Sequence, residues 1–320
     1  MWRGIAIIYA SKEDIADKLK EALRKDYPVY VFKYSEANFE YIWKCYDAII
    51  FTMALSGAVR TICNYAKSKD VDPAVIVIDD SGRYVIPILG AHWGANDLAL
   101  LISKLLDAEA IITTASENFG VTSVEEFSRK LFCKILNVKE IVKVTSALLR
   151  GEKVCVQGLE KIPEEVKGYV IGEECKYKVV LVEKEPERYE ENTVYLKPYK
   201  LAIGIGSKIE TDPDVIRKGI LETLSKLNLP LNRVKIISSI REKVKIVADE
   251  LGIAFRLVTR DEIETFNDEC LSPQSEKLKE IGLKGVAEVS ALIAGGNGAK
   301  LLLRKITYNN EITIAIAGFE

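Results

Sequence analysis

Histidine occurs once in the 320 residues, at position 92, and methionine and glutamine occur twice each. One histidine excludes any metal site built from several imidazoles. The six cysteines, at 45, 63, 133, 155, 175 and 270, include no C-x-x-C pair, so zinc-ribbon and thioredoxin-like chemistry are not expected. They read as buried free thiols. Disulfides stay open, because a chain rich in Lys and Glu and poor in Gln resembles thermophile proteins. Charge of either sign is not in excess: 45 Lys+Arg face 47 Asp+Glu, a net charge of −2, which argues against a nucleic-acid partner. The longest apolar run, Ile5 to Ala10, is far below the ~18 residues of a membrane span. Ser11-Lys12-Glu13-Asp14 follows at once, so the start does not read as a signal peptide. A cytoplasmic protein with no membrane partner is expected. No G-x-x-x-x-G-K-[ST] and no G-x-S-x-G is present, which leaves out a P-loop and a nucleophile elbow.

What is present is an ordinary globular balance, 48% apolar and 29% charged, able to bury a large core. The length suggests about two domains. In the N-terminal third, apolar strands (Gly4–Tyr9, Val29–Phe32, Ala48–Phe51, Ala74–Asp79) alternate with segments of helical period (Asp14–Lys25, Ala58–Lys67, Ala95–Leu106). That rhythm predicts a doubly wound α/β domain over residues 1–136. Ala110 to Thr113 reads as a further strand. From about residue 137 to 197 the segments become short, β-rich and broken by charge clusters, which predicts a small middle domain ending in a linker. From 198 to 320 the α/β rhythm resumes. Strands are expected over Lys200–Ile205, Val234–Ser238 and Ala254–Val258, and helices over Val215–Leu227, Arg241–Leu251 and Gly285–Ala294. Asp212-Pro213 marks a helix start.

Four places invite chemistry. Gly90-Ala91-His92-Trp93-Gly94-Ala95-Asn96 joins a strand to a helix. Helix starts suit anions, glycine lets a backbone approach a ligand, and histidine ordinarily titrates near neutral pH. The same residues also read as a capped turn with a packed His–Trp pair. Ser56-Gly57-Ala58-Val59-Arg60 is a second strand-to-helix loop, or an ordinary turn with Arg60 on a solvated face. Thr113 and Thr114 stand at a strand's carboxyl end, where α/β sheets collect ligands, or cap the next element. Gly204-Ile205-Gly206 tempts a dinucleotide reading, but position 209 is isoleucine where a third glycine would stand. Glycine-bearing strand ends without a metal set or a nucleotide motif point to an organic ligand rich in acidic groups.

Several stretches resemble the cobalamin biosynthesis protein G family. Lys69-Asp70-Val71-Asp72-Pro73-Ala74-Val75-Ile76-Val77-Ile78-Asp79 is similar to its K-x-x-D-P segment. Ile86-Pro87-Ile88-Leu89-Gly90 and Ala95-Asn96-Asp97-Leu98-Ala99 fit the run around its histidine, with His92 one place later than in the family. Ile111-Ile112-Thr113-Thr114-Ala115 fits its V-I-T-T-A. Leu201 to Gly206, Lys243, Gly285-Val286-Ala287-Glu288, Lys305 and Thr313 to Ala317 continue the resemblance in order, across nearly the whole chain.

The resemblance implies a cobalt-precorrin-5A hydrolase of anaerobic cobalamin synthesis, which opens the ring-A lactone and releases acetaldehyde. It implies no cofactor of the protein's own, since cobalt arrives inside the substrate. Expected roles follow from it: His92 and Glu288 as catalytic groups, and Gly57, Arg60, Gly90, Gly94, Asn96, Thr113, Thr114, Gly204, Gly206 and Lys243 as substrate-binding. The expected partners are the cobalt-precorrin substrate, neighbouring enzymes of the pathway and a second copy of the chain. A corrinoid carrier that performs no reaction is the alternative, and a nucleotide-dependent oxidoreductase a distant third.

Overall fold

The computed structural model describes residues 2–69, 71–113, 120–274, 278 and 282–320. These form two compact bodies. One holds Ile5–Lys25 and Val29–Pro198; the other holds Tyr199–Glu320 with residues 2–4 and Asp26–Pro28.

The first body contains two sheets. Its N-terminal sheet has the order β2-β1-β3-β4-β5-β6, built from β1 (Ile5–Tyr9), β2 (Val29–Lys33), β3 (Ala48–Thr52), β4 (Ala74–Ile78), β5 (Tyr84–Leu89) and β6 (Glu109–Ala110). Strands β1 to β4 pair in parallel. Every residue of β3 and β4 is buried, as expected of continuous apolar runs covered on both faces. Helices α1 (Asp14–Leu23), α2 (Phe39–Cys45) and α3 (Leu55–Ile62) make the crossovers, and α4 (Ala95–Leu106) links β5 to β6 and packs beside α1. Right-handed crossovers running in opposite directions from β1 place α1 and α3 on opposite faces.

The hairpin between β4 and β5 reverses the strand direction, and β6 follows β5 in parallel. The carboxyl ends of β5 and β6 therefore open at the edge where β1, β3 and β4 begin. Asp79 ties that hairpin: Oδ1 accepts N–H bonds from Arg83 and Tyr84, both at 2.8 Å, and Oδ2 accepts the Ser81 hydroxyl.

The second sheet of this body has the order β7-β11-β10-β8-β9, from β7 (Cys133–Ile135), β8 (Val154–Gln157), β9 (Tyr169–Ile171), β10 (Tyr177–Leu181) and β11 (Thr193–Pro198). Helices α5 (Val124–Lys130) and α6 (Ile141–Leu149) supply Val124, Phe127, Val144 and Leu148 to its core. Cys155 on β8 and Cys175 before β10 form a disulfide across 20 residues, and neither Cys45 nor Cys270 is a free thiol, which corrects the expectation for these four. Cys133 is a buried free thiol, as read from the sequence, whereas free Cys63 is exposed.

The other body carries the third sheet, β14-β13-β12-β16-β15. Its strands are β12 (Lys200–Ser207), β13 (Val234–Ser239), β14 (Ala254–Leu257), β15 (Lys300–Tyr308) and β16 (Ile312–Phe319), with helices α7 (Pro213–Lys226), α8 (Val244–Glu250), α9 (Arg260–Thr265) and α10 (Val286–Gly295). Asp212 caps α7 by accepting the Asp214 N–H at 2.8 Å, with Pro213 in the first turn. The α/β classes read from the sequence hold in all three sheets, the middle one carrying helices as well as strands. Three local readings change. Ser56 and Gly57 lie inside the first turn of α3, not in a loop before it. The expected strand at Ala110–Thr113 shortens to two residues ending at Ala110. Gly204 and Gly206 lie within β12, which runs on to Ser207.

Candidate functional site

The candidate site forms where β5 ends. Gly90 adopts φ +78°, and a Cβ there would stand 2.6 Å from the Ala74 Cα. Only glycine lets the chain leave β5 so close to β4. Ala91–Trp93 then make a 3₁₀ turn, and Gly94, at φ +90°, starts α4. Neighbouring elements hold this turn. The Ser123 hydroxyl donates to the His92 carbonyl and also caps α5 by accepting the Glu126 N–H at 3.1 Å. Arg129 Nη2 donates to the Trp93 carbonyl at 2.7 Å. The Trp93 indole N–H donates to the Lys69 carbonyl at 3.1 Å.

His92 Nε2 also meets the Lys69 carbonyl. A carbonyl only accepts, so Nε2 is the donor of this contact. His92, Lys69, Asp72, Gly90, Asn96 and Thr113 line one cleft of about 270 Å³. Asp72, itself buried, accepts the Lys67 N–H on both carboxylate oxygens at 3.0 Å and so shapes the loop that presents Lys69. The cleft is thus lined by a histidine, a lysine, an asparagine, a threonine and a buried aspartate.

The structure brings together Gly90, His92, Asn96 and Thr113 of the expected set, with Gly94 directly behind the turn. Thr114 lies outside the described residues. Gly57 and Arg60 do not join the cleft. The register pairs Thr52 with Tyr9 and Ile78, so α3 starts at the edge where β1, β3 and β4 end, while the cleft opens where they begin. Arg60 is exposed there.

Glu288, Gly204, Gly206 and Lys243 belong to the other body, where each has a packing or bracing contact of its own. Glu288 is fully buried. Its Oε2 accepts the Ser272 N–H at 2.8 Å, and its Oε1 accepts the Ser272 hydroxyl and the Lys305 N–H. A carboxylate so enclosed joins β15 to the 272 segment. Burial also pushes the neighbouring Lys305 ammonium down, Glu288 opposing and Arg304 reinforcing the shift. At Gly204 a Cβ would stand 1.9 Å from the Ala287 carbonyl oxygen, so this glycine admits α10 onto β12. At Gly206 it would meet the Thr313 hydroxyl at 2.5 Å. Lys243 Nζ donates to the carbonyls of Lys208, Ile209 and Thr211 at 3.0, 2.6 and 2.6 Å, so it braces a loop.

Sequence reasoning missed Lys69, Asp72, Ser123 and Arg129 as parts of the site. Lys69 and Asp72 stand in the K-x-x-D-P stretch, which was legible as a motif but carried no chemistry on its own. Ser123 and Arg129 act on backbone carbonyls, a role without a spacing signal. Among the described residues no helix is long and apolar enough to cross a membrane.

Three family models match consecutive parts of the chain: Cobalamin synthesis G N-terminal over residues 37–117, CbiG-like linker domain over 122–199 and Cobalamin synthesis G C-terminus over 201–317. A cobalt-precorrin-5A hydrolase of Priestia megaterium is 28% identical over 304 residues, 87% of this chain and 81% of its own length. A protein of Methanocaldococcus jannaschii named probable cobalt-precorrin-5A hydrolase is 26% identical over 98% of both chains. The crystal structure of a cobalamin biosynthesis protein G homolog from Sulfolobus solfataricus superposes with a TM-score of 0.84 at 46% identity, covering 100% of this chain and 98% of the other. With that identity sustained over both chains, and all three family regions present in order, the protein belongs to the cobalamin biosynthesis protein G family.

Proposed function

We propose that the chain is a cobalt-precorrin-5A hydrolase, acting in the cytoplasm on a substrate that brings its own cobalt. The observation that carries the reading is the cleft that His92 lines together with Lys69, Asn96 and Thr113, its Nε2 held against the Lys69 carbonyl. A cleft of about 270 Å³ is too small for a corrinoid ring. It suits a peripheral lactone and one water, with the ring plane lying across the mouth.

In the first step Nδ1 takes a proton from water as its oxygen attacks the lactone carbonyl. Lys69 and the Thr113 hydroxyl are the donors assigned to the oxyanion. Collapse breaks the acyl C–O bond and leaves the ring-A acetate and a hydroxyl, protonated by the imidazolium. In the second step that hydroxyl loses its proton, and its carbon leaves as acetaldehyde. The electron pair of the broken C–C bond passes into the conjugated macrocycle, which takes up a proton. Substrate plus water gives product plus acetaldehyde.

The test is anaerobic incubation with cobalt-precorrin-5A, trapping volatile aldehyde and weighing the corrinoid. Acetaldehyde, with a product heavier by water and lighter by that fragment, is expected. Tight binding with unchanged substrate mass would overturn the reading in favour of a carrier.

A further inference from the structure

His92 belongs to the N-terminal region of the chain, yet the bonds that hold its turn come from the linker region that follows. The turn is locally soft. Ala91–Trp93 lies between two glycines in the left-handed region, and glycine has the most backbone freedom of any residue. Within the turn, the Trp93 and Ala95 N–H groups bond the Gly90 carbonyl, and the Gly94 N–H bonds the Ala91 carbonyl. The next two carbonyls, of His92 and Trp93, take side-chain donors from Ser123 and Arg129.

Those donors are themselves fixed. Thr122, 5% exposed, is held to the 167–169 segment by three bonds of 3.0 Å: its N–H donates to the Lys167 carbonyl, its hydroxyl accepts the Lys167 N–H, and its carbonyl accepts the Tyr169 hydroxyl. Val124 and Phe127 of α5 are fully buried in the core of the middle sheet. Glu126, paired with Lys130 at 2.9 Å, and Arg129 close around Gly94, where a Cβ would stand 3.0 Å from the first and 3.2 Å from the second. Ser123 does two things with one hydroxyl: its proton goes to the His92 carbonyl and its oxygen caps α5. The cap of a helix anchored in the middle sheet and the backbone bond of the histidine thus share an atom.

We propose that Ser123 and Arg129 are positioning residues for His92, so that the linker region completes the His92 site. The effect on turnover rests on the reading of His92 given above; the hold on its ring does not.

His92 is the sole histidine, so ¹⁵N-histidine labelling of the full chain reports one imidazole. Ser123→Asp is the informative variant: aspartate caps a helix as well as serine does, but a carboxylate has no proton for the His92 carbonyl. Ser123→Thr keeps both functions. With the ring neutral, the native chain and Ser123→Thr should show the proton settled on Nε2. Ser123→Asp should show it shared between the two nitrogens, with the denaturation midpoint near native, and kcat should fall about tenfold with KM kept. Arg129→Met, which removes the donor to the Trp93 carbonyl, should act in the same direction and less. If Ser123→Asp does not fold, Arg129→Met decides by the same readings. A native ring signal in the folded variant overturns the proposal, whatever its midpoint. A displaced ring with native kcat overturns positioning for catalysis. If the native chain releases no acetaldehyde, the hydrolase reading fails and the ring signal alone decides whether Ser123 holds His92.

Discussion

Gly90 and Gly204 stand in apolar strand-end stretches that read alike, yet the two bodies use them differently. Gly90 works through its dihedral angle: φ +78° lets the chain turn away from β5 and raise His92 beside the Lys69 carbonyl. Gly204 is extended backbone inside β12 and works through its missing Cβ, whose place is filled by the Ala287 carbonyl. The same contrast separates the two titratable residues expected to act. His92 lines a cleft, while both oxygens of Glu288 are taken up by Ser272 and Lys305. A residue type that could serve a ligand serves one only when the fold leaves it an unoccupied side.

Substitution should widen this difference. Gly204→Val forces α10 off β12 and is expected to cost about 4 kcal/mol or more, read as a lowered denaturation midpoint. Glu288→Ala strands the Ser272 and Lys305 donors and should cost about 3 kcal/mol in the same measurement, while acetaldehyde release per folded molecule stays near native. A large loss of kcat in folded Glu288→Ala would break the contrast. His92→Ala should do the reverse: turnover falls about 100-fold or more, and stability changes by less than about 1 kcal/mol.

Gly94→Ala has a smaller expected effect. Its φ of +90° and a Cβ 3.0 Å from Glu126 should lower stability by about 2 kcal/mol and move the turn that carries His92, so turnover falls with it. Asp79→Asn, at the far edge of the same sheet, is the smallest. Burial is the largest single influence on Asp79 and would raise its pKa. The bonds from Ser81, Tyr84 and Arg83 together outweigh it and hold the carboxyl below 3.8. Its stabilisation is therefore complete above pH 3.8 and is lost as pH falls through the lower folded value. The asparagine variant should lose about 1 kcal/mol near neutrality and show a flatter acid limb in unfolding against pH, with turnover unchanged.

Much of the architecture was legible because burial leaves a plain trace. The unbroken apolar runs of β1, β3 and β4 and the 3.6-residue spacing of Leu98, Ala99 and Ile102 in α4 announce their partners. The Gly90–Asn96 turn was legible as a candidate site for the same kind of reason, since glycines, a histidine and a helix start coincide. The polarity of the sheet was not. Arg60 and His92 both follow a strand, but the reversal at β5 sends them to opposite edges, and only the β4–β5 register reveals it. Nor was the use of Lys243, because a lysine bonded to three carbonyls looks in sequence like any lysine awaiting an anion.

The bridge between Cys155 and Cys175 bears on how the enzyme is handled at the bench. Assays run without air commonly carry an added thiol. In this protein such an additive competes for a covalent link inside the middle sheet, whose loss typically costs about 3 kcal/mol. A rate that declines with time in reductant would then record unfolding of the protein and not exhaustion of its chemistry. Parallel assays with and without thiol, each paired with a count of free sulfhydryls, keep the two apart.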